Sequence, residues 1–104
     1  MSSSTVDSQI VTAAHVDVND DVLSVQLTDG RLIAAPLAWY PRLSHGTPAE
    51  RKHWRFVGNG RGIHWPDLDE DISVENLLTG KRSSESQTSF KKWLDQRPGN
   101  ATST

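Results

Sequence analysis

The sequence predicts an α+β fold, a small antiparallel β-meander of three to four strands packed by two to three short α-helices. Three observations carry this expectation. Val22 to Leu27 alternates, with Leu23, Val25 and Leu27 on one face and Ser24 and Gln26 on the other. Asp29-Gly30 follows at once, a strong short hairpin signal because a type I′ turn needs positive φ at both central residues. Thr47-Pro48-Ala49-Glu50 then sets a capping residue, a proline suited to the first helical position and a capping-box glutamate in the right order.

The elements follow along the chain. Met1 to Gln9 is rich in Ser and Thr and reads as a disordered tail. Ile10 to Val18 is rich in Val and Ala with partial alternation and reads as a strand. Asn19-Asp20-Asp21 is a turn, Val22 to Leu27 the second strand, and Arg31 to Ala35 the return strand, ended by Pro36. In Leu37 to Leu43, Pro41 confines any helix to a short one starting near it. The helix opened by Thr47 is expected to run to about Arg55. Gly58, Gly60 and Gly62 make a tight loop, and Ile63-His64-Trp65 is a short fourth strand stopped by Pro66. Ser73 caps a short helix over Val74 to Leu78, with Gly80 as its stop. Phe90, Trp93 and Leu94 share one face of a last helix that ends before Pro98-Gly99. Residues 10–97 are thus expected to form a single α+β domain, with a second tail over 98–104.

Composition excludes several function classes. The chain has 104 residues, 11 basic and 13 acidic, for a net charge of −2, which argues against a strongly basic nucleic-acid binder or a polybasic membrane-surface protein. With no cysteine, disulfides, thiolate metal sites and a cysteine nucleophile are excluded. No apolar run approaches the ~18 residues of a membrane span, and the N-terminus lacks the basic and apolar regions of a signal peptide. A cytoplasmic protein is expected. The charge is also patterned in four blocks: residues 1–30 carry five acids and no base, 31–61 six bases and one acid, 62–80 five acids and no base, and 81–97 five bases and two acids. Such blocks either balance within the fold or orient a protein partner.

Few residues offer chemistry. The run Asp67-Leu68-Asp69-Glu70-Asp71 begins like an EF-hand loop but has Ile72 and Leu78 where that loop needs Gly and Glu. Gly58-Asn59-Gly60-Arg61-Gly62 lacks both the P-loop Gly-Lys-Ser/Thr and the third fingerprint glycine, where Ile63 stands. His15, His45, His53 and His64 show no zinc spacing, and no serine sits in a hydrolase motif. No cofactor and no metal are expected. His64, Trp65 and Asp67 place an imidazole, an indole and a carboxylate within four residues, a set suited either to general acid–base work or to packing and a hydrogen bond. Trp39, Tyr40, Trp54 and Trp65 interleave with Arg42, Arg51, Arg55 and Arg61, the residue types of interface hot spots and, equally, of a small core.

At this point the chain resembles a small bacterial family, domain of unknown function 2442. The resemblance rests on Asp29-Gly30-Arg31, Pro36 through Leu43, Thr47 through Arg51, Trp54 and Gly58 through Gly62. It continues through Ile63-His64-Trp65-Pro66-Asp67-Leu68-Asp69-Glu70-Asp71-Ile72 and Leu77 through Gly80. It implies an α+β domain with a meander and short helices, and no activity. Members are often tiny stand-alone proteins, sometimes beside another small uncharacterised protein, and by the resemblance that arrangement suggests a toxin–antitoxin-like pair with this family on the antitoxin side. Some relatives append a helix-turn-helix DNA-binding domain, which this chain is too short to contain.

The leading reading is therefore a protein-binding or regulatory module, not an enzyme, whose partner is another small, basic protein and not nucleic acid or membrane. Its binding residues are Trp39, Tyr40, Arg42, Trp54, His64, Trp65, Asp67, Asp69, Glu70 and Asp71: the acids meet the partner's bases, and Trp39, Tyr40 and Trp65 supply apolar anchors. Arg42 is expected to reach one carboxylate of the acidic run, and His64 to serve packing or a hydrogen bond to that run. The alternatives are a small enzyme or ligand-binding protein using His64 and Asp67, and an accessory DNA-binding regulator using Arg42, Arg51, Lys52 and Arg55.

Overall fold

Two three-stranded antiparallel sheets organise the chain in a computed structural model, which describes residues 11–83 and 85–97. Both expected tails, 1–9 and 98–104, lie outside the described residues, as does Ile10. The first sheet is the expected meander, with strands β1 (Ala13–Val18), β2 (Val22–Leu27) and β3 (Leu32–Pro36) in that order. Leu23, Val25 and Leu27 are buried as their alternation requires. The imperfect alternation of β1 has a local cause: the register against β2 slips between Ala13 and His15, so Ala13 and Val16, three residues apart, both face the core.

The β2–β3 turn corrects the expected type I′ geometry. Gly30 alone has positive φ, at 96°. Its N–H donates to Leu27 O at 3.0 Å, and the Leu27 N–H donates to Arg31 O at 2.8 Å. Thr28, Asp29 and Gly30 therefore make a three-residue loop with glycine at its left-handed position. Asp29 keeps negative φ and uses its carboxylate on Arg31, N–H and Nε, at 3.1 and 2.8 Å.

After β3 the chain makes a single 3-10 turn, Leu37–Trp39, and two short helices, α1 (Pro41–Ser44) and α2 (Pro48–Lys52). The capping box at Thr47 and Glu50 forms in both directions. The helix does not reach Arg55, however. His53 leaves helical geometry at ψ 86°, and Arg55 opens strand β4 (Arg55–Val57). Aromatic and β-branched residues at 54, 56 and 57 favour the extended chain, and Phe56 pairs with Ile63. Ile63-His64-Trp65 is a strand, but not a fourth strand of the meander. It belongs to β5 (Gly62–Trp65), the centre of the second sheet between β4 and β6 (Glu70–Ser73). Helix α3 (Val74–Thr79) is capped by the Ser73 side chain and stopped by Gly80 at φ 77°, and α4 (Gln87–Asp95) closes the described chain. No helix among the described residues is long and apolar enough to cross a membrane.

The core lies where the two sheets and the short helices meet. Leu23, Val25, Leu43, Ile63, Trp65 and Leu68 have no exposed surface. One polar group is built into it. The Arg51 guanidinium donates to Leu43 O at 2.9 Å, to Ser44 O at 2.8 Å and to Asp20 Oδ1 at 2.8 Å. The Arg51 carbonyl accepts the Trp65 indole N–H at 3.1 Å. Arg51→Ala should lower the unfolding free energy by roughly 2–4 kcal/mol, because the carbonyls ending α1 lose their donor. Asp20→Ala should cost less than about 1 kcal/mol, since the Asp20 side chain is 90% exposed. Urea denaturation of the two variants checks the contrast, and equal effects would contradict it.

Candidate functional site

The period-two pattern of the acidic run decides which of its members meets water. Within β6 (Glu70–Ser73) the side chains alternate, with Ile72 buried and Asp71 exposed, while Leu68 in the preceding turn and Val74 opening α3 are also buried. The register against β5 sets Ile72 opposite Ile63 and Glu70 opposite Trp65, on the inward face. Asp71 falls on the outer face opposite His64, whose Nδ1 donates to Asp71 Oδ1 at 2.7 Å. Glu70 is thus a carboxyl at a core position, at the margin where the core opens into a groove.

This groove encloses about 360 Å³. Tyr40 and Arg42 line one wall, Asp69 to Ile72 a second, Asn76 of α3 a third, and Lys81 to Ser83 with Glu85 and Ser89 the last. Arg42 ties the walls together. Its Nε donates to Glu85 Oε1 at 2.9 Å, and its Nη1 donates to Leu68 O at 3.3 Å and Asp69 O at 3.1 Å. The Asp69 carboxylate lies 3.6 Å away, so the expected link to the acidic run exists, although Glu85 is the closer carboxylate. Glu85 holds the Arg42 guanidinium more firmly protonated, and Arg42 in turn holds the Glu85 carboxyl below its ordinary range. Glu85 also accepts from Ser89 Oγ at 2.9 Å. Beyond the groove, Trp93 of α4 takes the guanidinium groups of both Arg42 and Arg97 over its ring, 5.1 and 4.8 Å from its centre. Arg97 closes on Glu50 at 2.7 Å.

Glu70 has the least usual environment. Its Oε1 accepts the Asp71 N–H at 3.1 Å, while Oε2 is buried with no hydrogen-bond partner. Burial pushes its pKa up to about 7, against the Asp71 N–H and the Arg42 charge, which pull it down. Tyr40, whose hydroxyl donates to Lys81 O at 3.3 Å, is shifted upward by its own burial and then by Glu70.

Of the ten residues read as binding residues, the groove gathers Tyr40, Arg42, Asp69, Glu70 and Asp71. The other five stand elsewhere. Trp65 is wholly buried and Tyr40 is 3% exposed, so neither is an anchor for a partner as expected: both fill the core. Trp39 is half-buried beneath the Arg82 guanidinium, 4.7 Å from its ring centre. Trp54 packs against Phe56 and His15. His64 and Asp67 do not form a pair, because the strand pairing gives His64 to Asp71, and Asp67 bonds His53 at 2.8 Å. Of the four bases considered for DNA, Arg42 and Arg51 spend their donors inside the chain, while Lys52 and Arg55 are exposed. Glu85, Asn76 and Ser89 escaped the sequence reading; Glu85 stands out there only as the one acid between Lys81 and Lys91. No cluster of three His, Asp or Glu side chains among the described residues is arranged to hold a metal.

An α+β domain of two small sheets carrying a polar groove is the class of protein that the geometry defines. Residues 13–83 match the family described as a protein of unknown function, DUF2442, and the chain belongs to that family. Its fold is similar to that of a protein of unknown function from Rhodospirillum rubrum, with TM-score 0.63 and 25% identity over 74% of this chain and 95% of that one. It is also similar in fold to an uncharacterised protein from Chromobacterium violaceum, with TM-score 0.64 and 22% identity over 91% of this chain and 84% of that one. No curated protein matches the chain.

The Glu70 environment has a consequence for stability. The unfolded chain releases this proton near the ordinary 4.5 and the folded chain near 7, so the folded state holds more protons between these values. Stability from Glu70 is then fully present below about 4.5 and lost as pH rises through about 7. A shift of this size amounts to at most about 3 kcal/mol, lessened where the groove admits water. Chemical denaturation across this range should show the decline in the parent and a flatter profile in Glu70→Gln; parallel profiles would contradict the assignment.

Proposed function

We propose that this domain is a protein-binding module, not a catalyst, and that it takes a cationic group of a small, basic partner protein into the groove at Glu70. One observation carries the reading. Every other acid lining the groove has a match within the chain: Asp69 and Glu85 with Arg42, and Asp71 with His64. Glu70 Oε2 has none. A buried oxygen without a partner is costly, and a cation brought by another molecule would remove the cost. The acidic run thereby keeps the role expected of it, but through the one member that the strand register turns inward. A paired, antitoxin-like role would be the regulatory form of this reading, and the lack of cysteine suits a cytoplasmic setting.

Co-purification from a lysate of the source organism tests it, with parent and Glu70→Gln side by side and both confirmed folded by circular dichroism. The reading expects a small basic protein that the parent retains and the variant loses. Retention of the same proteins by both, or by neither, would contradict it.

A further inference from the structure

We propose that the free edge of strand β3 pairs with β3 of a second copy of this chain. The two strands run antiparallel about a two-fold axis at Ile33 and join two three-stranded sheets into one. This surface is apart from the groove, which no residue of β3 lines.

The parity of the β2–β3 ladder settles which backbone groups β3 leaves free. The Leu27 N–H donates to Arg31 O at 2.8 Å at one end, and the Leu37 N–H donates to Asp21 O at 2.9 Å at the other. Between them Val25 stands opposite Ile33 and Leu23 opposite Ala35, so Ile33 and Ala35 turn their N–H and C=O groups toward β2. Leu32, Ala34 and Pro36 occupy the alternate pairs, which exchange no bonds. Pro36, with no N–H, fits that parity. The N–H and C=O groups of Leu32 and Ala34 therefore point away from β2. Within the described residues no backbone hydrogen bond reaches any of the four.

This edge also lacks the devices that commonly keep a sheet edge unpaired. Strand β1 carries Asp17 and a slip in register. Strand β4 has only three residues and opens with Arg55, and β6 carries Glu70 and Asp71. Strand β3 holds Leu32, Ile33, Ala34 and Ala35 with no charge, and its proline stands at the end. Leu32 is 68% exposed, the most open of the large apolar side chains among the described residues.

The edge is complementary to itself, and this selects a second copy as the occupant. With the axis at Ile33, Leu32 of one copy lies opposite Ala34 of the other. The two donors and two acceptors of each edge then close four bonds. On the outer face each leucine covers an alanine, and the two leucines, diagonal neighbours, reach one another across the axis. The Ile33 side chains, half-buried in each copy, meet on the inner face, where the Cα atoms of such a pair stand about 4.5 Å apart. Pro36 falls opposite Gly30, in the loop before the other strand begins, so it interrupts no pairing. Arg31 falls opposite Ala35 and keeps its own Asp29 at 2.8 Å, so no like charges face each other.

The test is amide hydrogen exchange of the full chain, read residue by residue by NMR at micromolar and at millimolar concentration, with sedimentation equilibrium alongside. In the single copy, β2 protects the Ile33 and Ala35 amides, and the Leu32 and Ala34 amides exchange freely. The proposal expects a dimer at the higher concentration, with exchange at Leu32 and Ala34 slowed about tenfold once most of the chain is paired. Leu32→Lys, at an exposed position, and Ala34→Pro, which removes an outward N–H, should each abolish the dimer and the added protection. A single copy at every concentration would overturn the proposal, and so would a dimer that leaves Leu32 and Ala34 exchanging freely or one that survives both substitutions. The exchange pattern of the parent decides the matter even where a variant is unstable.

Discussion

Strand β6 cannot bury Ile72 without also turning Glu70 inward. Side chains alternate along a strand, and Ile72 lies opposite Ile63 at the centre of the second sheet. Leu68, in the turn before the strand, and Val74, the first residue of α3, are buried to 0 and 1%. Sliding the strand by one residue would turn Ile72 outward and set Asp71 and Ser73 inward. Ile72 therefore holds the register, and Glu70 is carried with it to a place opposite Trp65. Its raised pKa, its unpartnered oxygen and the groove around it all follow from that pairing.

What covers this carboxyl is a polar layer, not a second apolar one. Helix α4 buries none of its residues fully. It is held by Trp93, partly buried against the core, by the two guanidinium groups on that ring, by the Ser89–Glu85 bond and, past its end, by the Arg97–Glu50 bridge. Contacts of this kind are directional and individually modest, so the segment that closes the groove is tied down at a few points. Arg42 is the common member, reaching α4, the β5–β6 turn and Glu85 at once.

The first sheet was legible because its signals are local. The alternation of Val22–Leu27, the glycine at position 30 and the Thr47–Glu50 capping box each act within a few residues. The second sheet was less so. Strand β4 has only three residues, too few to show a period, and it follows a helix start strong enough to suggest that the helix continues. The acidic run hid its own order, because four acids in five residues read as a charged surface while the alternation of Leu68, Glu70, Ile72 and Val74 was already present. Of the candidate site, Arg42 and the inward carboxyl could be found in this way, but Glu85 could not. It stands 43 residues from Arg42, and no local pattern marks a pairing over that distance.

The state of one carboxyl, that of Glu70, can be observed directly. Carbon-detected NMR of the Glu70 side-chain carboxyl, followed through a pH titration of the folded protein, isolates it from the other acids. A midpoint of about 7 is the predicted result, with burial as its cause. A midpoint near the ordinary 4.5 would mean that Glu70 is solvated like its neighbours, and would contradict both the inward register of its side chain and the groove built on it.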